Sequence, residues 1–198
     1  MDGTRVYPDD TAGPFPSPPV TFGDRDGRTI VVRPFDPDEP QVDALTEMYV
    51  QFDPADRAQG IPPSGETRVR NWLETICADG VNVAAWHDGR VVGHATLVPD
   101  VDDPAAVDDV GEIAWELAIF VLQEFQRAGI GTELLERLLG YASDQGIEKV
   151  WLTVERWNSP AIALYERVGF EVCGSESFEQ EMAILLARDD ESTHQESG

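Results

Sequence analysis

The stretch Val121–Leu135, VLQEFQRAGIGTELL, decides the fold. A strand-like apolar run ends at Val121. Gln126, Arg127, Ala128, Gly129, Ile130 and Gly131 follow, and a helix opens at the two glycines, predicted over Gly129–Gln145. Ile130, Leu134, Leu135, Leu138 and Ala142 form one stripe of it, with Glu133 and Arg137 paired outside. Free N–H groups at a helix start, with the positive end of its dipole, make a site for anionic phosphate. The glycines let a ligand approach the backbone, and Arg127 adds charge. A Walker loop is excluded because no GxxxxGK[ST] exists, and a dinucleotide fingerprint fails because Leu134 holds its third glycine position. Taken alone, the glycines favour a ligand over a tight turn with none, but do not name the ligand.

Outward from this segment the pattern alternates strands and helices. Upstream, Glu112–Val121 is the longest strand candidate. Val81–Trp86 and Arg90–Val98 flank His87-Asp88-Gly89, a hairpin signal. Helices are predicted over Pro40–Phe52 and Ser64–Ala78, the latter capped by Ser64, and a strand over Thr29–Phe35. Downstream come a strand at Lys149–Val154 and a helix at Pro160–Val168, with Ser159 as cap and Gly169 as stop. Phe170–Cys173 and Glu181–Ala187 complete the strands. The order βααβββαβαββ predicts one α/β domain over residues 29–188, around a mixed, largely antiparallel sheet. Residues 1–28, rich in Pro, Gly and Asp, read as a flexible arm, and 189–198 as an acidic disordered tail.

Composition narrows the function classes. Among 198 residues, 38 acidic against 14 basic side chains give a net charge of −24. That speaks against nucleic-acid binding, which needs a basic patch, and against anionic membranes. Lys149 is the one lysine. Heavy Asp and Glu with almost no Lys is the composition expected of a protein soluble in concentrated salt, as in a halophilic acidic proteome. No signal-peptide core or run of ~18 apolar residues occurs, so a soluble cytoplasmic protein is expected. Three histidines and two cysteines without ligand spacing predict no metal. Cys77 and Cys173 read as small buried hydrophobes, and the five tryptophans as too scattered for a stacking platform. His87 is expected in solvent and His94 as a structural histidine.

The glycine loop does not stand alone. The pairing of Val121-x-x-x-x-Gln126-x-x-Gly129-x-Gly131 with Asn158-x-x-Ala161-x-x-Leu164-Tyr165-Glu166-x-x-Gly169-Phe170 resembles the GNAT superfamily of acetyl-coenzyme A-dependent N-acetyltransferases. The resemblance is tight over residues 112–172 and looser over 29–187. It implies the GNAT fold, a splayed, mostly antiparallel sheet flanked by helices, opening between the 112–121 and 149–154 strands to admit the cofactor. Gln126, Arg127, Ala128, Gly129, Ile130, Gly131 and Thr132 would then cradle the pyrophosphate of acetyl-CoA. Ile119, Phe120 and Val121 would pair their backbone with the pantetheine arm, and the Val121 N–H would polarise the thioester carbonyl. Asn158 would bond the arm, and Tyr165 would sit near the sulfur as proton donor or, equally, as core packing. Two positions depart from the family's habit: Arg127, commonly glycine, and Gln123, frequently proline.

The reaction needs a neutral amine, whereas a free alkylamine near pKa ~10 is almost wholly protonated at neutral pH. A carboxylate can take that proton. The candidate base is Glu116, on a strand face shared with the small Ala114 and Ala118, with Glu112 in reserve. Its spacing before the glycine loop, and more loosely residues 48–63, resemble the protein-lysine acetyltransferases of bacteria and archaea. The expected acceptor is therefore a protein lysine side chain. A small amine, an antibiotic or a protein N-terminus would use the same motifs. A non-catalytic module sensing acetyl-CoA is the rival class, but would need no base.

Overall fold

The computed structural model describes residues 5–52 and 62–187. Its strands are β1 (Val20–Gly23), β2 (Thr29–Pro34), β3 (Val81–His87), β4 (Arg90–Pro99), β5 (Ala114–Val121), β6 (Lys149–Glu155), β7 (Glu171–Ser175) and β8 (Glu179–Leu185). The helices are α1 (Glu39–Val50), α2 (Glu66–Ala78), α3 (Ile130–Asp144) and α4 (Ser159–Val168). The strands form one sheet in the order β1-β2-β3-β4-β5-β6-β8-β7, antiparallel throughout except where β5 meets β6. The predicted α/β domain with a mixed, mostly antiparallel sheet is the observed one. Among the described residues no helix is long and apolar enough to cross a membrane.

Local chemistry accounts for the elements. Asp88 and Gly89 both take positive φ (48° and 79°), the twist that closes β3 onto β4. The predicted stripe of α3, together with Leu139, is buried against the sheet, each leucine contributing roughly 1.5–3 kcal/mol of apolar burial. Gly93 on β4 leaves room for α3: an added Cβ would lie 2.8 Å from Leu134 Cδ1. Three predicted details differ. Gly65 precedes α2 with no side-chain cap, so Ser64 does not fill that role. Asn158 caps α4, its Oδ1 accepting the Ala161 N–H at 3.3 Å, which leaves Ser159 as the first helical residue. Glu112 lies in a 3-10 turn before β5 rather than on the strand, because Asp109 caps that turn through the Gly111 N–H.

The expected flexible arm is the larger correction. Asp26-Gly27 turns the chain between two short β-branched runs, and the resulting strand, β1, pairs with β2 from Val20↔Val32 to Gly23↔Thr29. The Ala12 N–H donates to the Leu185 carbonyl, and the Ala187 N–H to the Ala12 carbonyl, an isolated parallel bridge to Leu186 just past the end of β8. Residues 15–17 lie along α3, where Ser17 Oγ donates to Asp144 and Arg137 Nη1 to the Ser17 carbonyl. The arm closes so near that a Cβ on Gly140 would sit 2.5 Å from the Pro16 carbonyl oxygen and 2.8 Å from that of Phe15.

That contact fixes the sign of a substitution. In a helix with a free face, Gly140→Ala stabilises by about 1 kcal/mol. Against the docked arm it overpacks and destabilises by about 1–3 kcal/mol. We expect a lower thermal midpoint and faster amide exchange over residues 15–18; a raised midpoint would mean the arm does not dock.

Candidate active site

The parallel contact between β5 and β6 is short. It holds Ala114↔Lys149, Trp115↔Val150 and Glu116↔Trp151, and then the strands part. From Leu117 to Val121, β5 is paired on its β4 side alone. This is the opening expected between the two strands. An unpaired strand edge inside a sheet presents N–H and C=O groups to any extended amide that enters. Ile119, Phe120 and Val121 lie along it, half-buried.

At the far end of this edge stands the glycine loop. Gly129 caps α3 with φ 96°, and no atom lies within 4 Å of where its Cβ would be. The first intrahelical acceptor is the Gly129 carbonyl, bonded by the Glu133 N–H at 3.3 Å. The N–H groups of Ile130, Gly131 and Thr132 therefore have no helical partner. Open space over a helix N-terminus beside an unpaired strand edge fits a diphosphate joined to an amide-bearing arm. Arg127 has φ 60°. Glycine adopts that left-handed conformation without strain, and a side chain there costs about 1–2 kcal/mol. Gln126 turns back, its Nε2 donating to the Val121 carbonyl at 3.0 Å, and so ties the loop to the strand end.

The loop has a brace that sequence reasoning missed. The β1–β2 turn reaches it twice: the Arg25 N–H donates to the Ala128 carbonyl (3.1 Å) and Arg25 Nη1 to the Arg127 carbonyl (3.3 Å). Arg28 lies over the Phe125 ring at 4.2 Å and donates Nη1 to the Glu124 carbonyl. Asp24 organises the turn. Its side chain is inaccessible to solvent, and it accepts from the N–H groups of Asp26 and Arg28 and from Arg28 Nε at 2.7 Å. Loss of hydration pushes its carboxyl up, but the Arg28 and Asp26 hydrogen bonds outweigh this and hold it below the usual range. Asp26-Gly27 was a legible turn signal, hidden among the surrounding prolines.

Glu116 lies on the strand face opposite the core, beside the half-buried Ala114 and Ala118, while Ile113, Trp115 and Leu117 are buried behind it. Solvent reaches its carboxyl. Partial loss of hydration raises its pKa above the usual glutamate range, Asp100 adds to the rise, Arg5 opposes it and Glu181 adds again. A carboxylate made more basic while still reached by water suits proton abstraction. Tyr165, on α4, is buried against Phe170, and burial pushes its phenol up to about 12. It is therefore protonated at neutral pH, as a proton donor must be. Asn158 opens α4 where β6 ends, its oxygen engaged by the cap and its amide NH2 left for a ligand.

Other candidates resolve into structure. His94 is fully buried and neutral, its pKa lowered to about 3 by burial. Asn82 Oδ1 accepts from its Nε2, so Nδ1 accepts from the Tyr49 hydroxyl at 2.7 Å. His87, expected in solvent, is half-buried, bonding the Thr29 carbonyl and lying edge-on to Phe125. Cys77 is buried, its thiol pushed up to about 12, whereas Cys173 is only half-buried. Trp72 is not isolated: with Tyr49, Phe52 and Phe120 it forms an edge-to-face aromatic cluster beside the β5 edge.

A splayed sheet with a glycine loop at the head of its central helix defines an acyl-CoA-type transferase fold. Residues 42–170, more than half of the chain, match the model of the acetyltransferase (GNAT) family. The chain belongs to that family, whose acyl donor is acetyl-CoA. An uncharacterised N-acetyltransferase of Mycobacterium tuberculosis is 29% identical over 96 residues, 48% of this chain and 56% of that protein, so the match spans little more than half of its length. The ribosomal protein bS18-alanine N-acetyltransferase of Escherichia coli is 44% identical over 125 residues, covering 63% of this chain and 75% of the relative. A mycothiol acetyltransferase of Saccharomonospora viridis is 32% identical over 136 residues, 68% of this chain and 42% of the relative. Among solved structures, the GNAT domain of the Streptomyces lividans protein PAT superposes with a TM-score of 0.69 at 19% identity, covering 85% of this chain and 97% of that one.

Because the Asp24 carboxyl is held low in the fold, its ionised form stabilises the protein at every pH above the ordinary carboxylate value of ~3.9. The contribution is lost as acid protonates the folded group. Asp24→Asn is expected to lower the thermal midpoint at neutral pH, with the gap closing as the pH falls below that range. It should also weaken acetyl-CoA binding roughly threefold to tenfold, as read by calorimetric titration. A gap independent of pH would remove the ionised brace.

Proposed function

We propose that the chain transfers acetyl from acetyl-CoA to a primary amine of a protein, by direct attack of the amine on the thioester. The observation that carries this reading is the unpaired β5 edge, with Glu116 at its closed end and the open α3 N-terminus at the other. In this reading the N–H groups of Ile130, Gly131 and Thr132 bind the pyrophosphate. The β5 edge over residues 119–121 aligns the pantetheine arm, which Asn158 also bonds. Glu116, made more basic by its surroundings, takes the proton from the incoming ammonium, directly or through water. The Val121 N–H stabilises the oxyanion that develops on the attacked carbonyl. Tyr165 donates its phenolic proton to the departing thiolate. Neither cysteine has the low pKa of a nucleophile, which favours direct attack over an acyl-enzyme.

Two protein amines compete as acceptor. The lysine side chain expected from the Glu116 spacing leans in part on residues 48–63, of which 53–61 lie outside the described residues. The Escherichia coli relative's name places its acetyl group on an alanine of a ribosomal protein. We favour an N-terminal α-amine on that relative's higher identity. An α-amine also loses its proton more readily (pKa ~7.7–8.0 against ~10.4 for lysine), so one carboxylate of modestly raised pKa is enough.

Glu116→Gln is expected to lower kcat by about 10²–10⁴-fold while leaving acetyl-CoA affinity unchanged. The parent's rate should rise with pH through the deprotonation of its carboxyl, and the variant's should not. Labelled acetyl-CoA offered to peptides with free or blocked N-termini, with and without lysine, separates the acceptors. Undiminished turnover in Glu116→Gln would sink the base assignment.

A further inference from the structure

The face of the sheet around Glu116 already holds a cation. The Arg5 guanidinium carbon lies over the Trp151 ring, 3.4 Å from its centre. Its Nη1 is 3.5 Å from Asp100 Oδ2 and its Nε 3.6 Å from Glu181 Oε2. Four separate elements build this box. Trp151 is the strand partner of Glu116 in the last pair before β5 and β6 diverge. Asp100 follows β4, its N–H bonded to the Ala114 carbonyl. Glu181 comes from β8, opposite Thr153. Arg5 arrives from the N-terminal segment, four-fifths of its side chain buried. The Glu116 carboxyl senses all three charged groups, so the box adjoins the candidate base.

Arg5 is held from its own segment as well, where the Tyr7 phenol lies beside its guanidinium. Behind it the arm is fixed at Ala12, by two backbone bonds to the end of the sheet. Between them, residues 6–8 lie over Glu171, Val172 and Cys173 around a shallow hollow, with Val6 exposed. Both carboxylates keep about half of their surface in water, so each ion pair contributes little. The stack on Trp151 is the specific contact. A planar guanidinium is the cation suited to it, since it lies flat on an aromatic face while its edge N–H groups meet carboxylates.

Resting on the acetyltransferase reading, we propose that Trp151, Asp100 and Glu181 form a guanidinium subsite for the acceptor, which Arg5 fills until an arginine side chain beside the reacting amine displaces it. The N-terminal segment is thus a self-occupying strap. It selects acceptors that carry an arginine and raises the concentration at which they bind.

The subsite is tested without turnover. Nα-acetyl-arginine amide, which has no amine to acetylate, is titrated by calorimetry at low salt into the parent chain, Arg5→Gln and the double variant Arg5→Gln/Glu181→Gln. Nα-acetyl-citrulline amide is the neutral isostere. Arg5→Gln is expected to bind the arginine probe at least about tenfold more tightly than the parent. Glu181→Gln should take part of that gain back, and the citrulline probe should show none. Equal affinity in parent and Arg5→Gln would overturn the proposal, and so would an equal gain for citrulline. Acetyl-CoA titrated into the same samples reports the donor site separately: no binding there would tell against acetyl transfer and leave the arginine result to stand or fall by itself. In kinetics, Arg5→Gln should lower KM for arginine-bearing acceptor peptides more than for neutral ones, and shift the pH profile of kcat upward as Glu116 loses the neighbouring cation.

Discussion

Everything at this site follows from where two strands stop pairing. Parallel strands inside a sheet normally run together for their full length, because each broken ladder bond leaves a donor or acceptor to be satisfied. Here β5 and β6 share three residue pairs and then separate after Glu116 and Trp151. The sheet survives this because both halves are held independently. On one side β5 is paired to β4 along its full length; on the other β6 is paired to β8 from Lys149↔Leu185 to Glu155↔Glu179. The separation leaves a strand edge backed by β4 and unpaired on its other side, which is what an extended amide-bearing ligand needs from a binding protein.

The two ends of that edge have opposite electrostatics, in a molecule whose net charge is −24. At the α3 end, unpaired N–H groups and the helix dipole offer positive potential, and the turn carrying Arg25 and Arg28 is fastened behind it. At the other end sit Glu116, Asp100 and Glu181, with Arg5 among them. An anionic donor and a cationic acceptor therefore have separate destinations. Local groups set this polarity. Long-range steering would fade in concentrated salt, where the Debye length shrinks to ~3 Å, while a stacked guanidinium or a backbone N–H in contact with phosphate would persist.

Most of the architecture could be read from sequence because its signals are short-range. The Asp88-Gly89 turn, the buried stripe of α3 and the glycines at 129 and 131 each act within a few residues, and each element appears where its pattern predicts it. The opening was anticipated through the paired motifs around Gln126 and Asn158. What escaped was built from distant pieces. Proline and glycine content made residues 1–28 look like a free arm, although Asp26-Gly27 carries the same turn chemistry as Asp88-Gly89. The docking of residues 15–17 on α3 depends on the absence of one Cβ at Gly140, which no local pattern marks. The box around Arg5 draws on positions 5, 100, 151 and 181, each unremarkable alone. Caps slipped by one residue: Gly65 rather than Ser64 precedes α2 with no side-chain bond, and Asn158 rather than Ser159 takes the Ala161 N–H.

The central claim is that acetyl-CoA binds as an added strand along the open edge of β5, with its pyrophosphate on the α3 N-terminus. Amide hydrogen exchange of the parent chain, with and without saturating acetyl-CoA, tests it directly. Slowed exchange confined to residues 117–121 and 129–132, with β1, β2 and β7 unchanged, is the predicted result. Binding that leaves both stretches unprotected, or protects a different face of the sheet, would contradict the account.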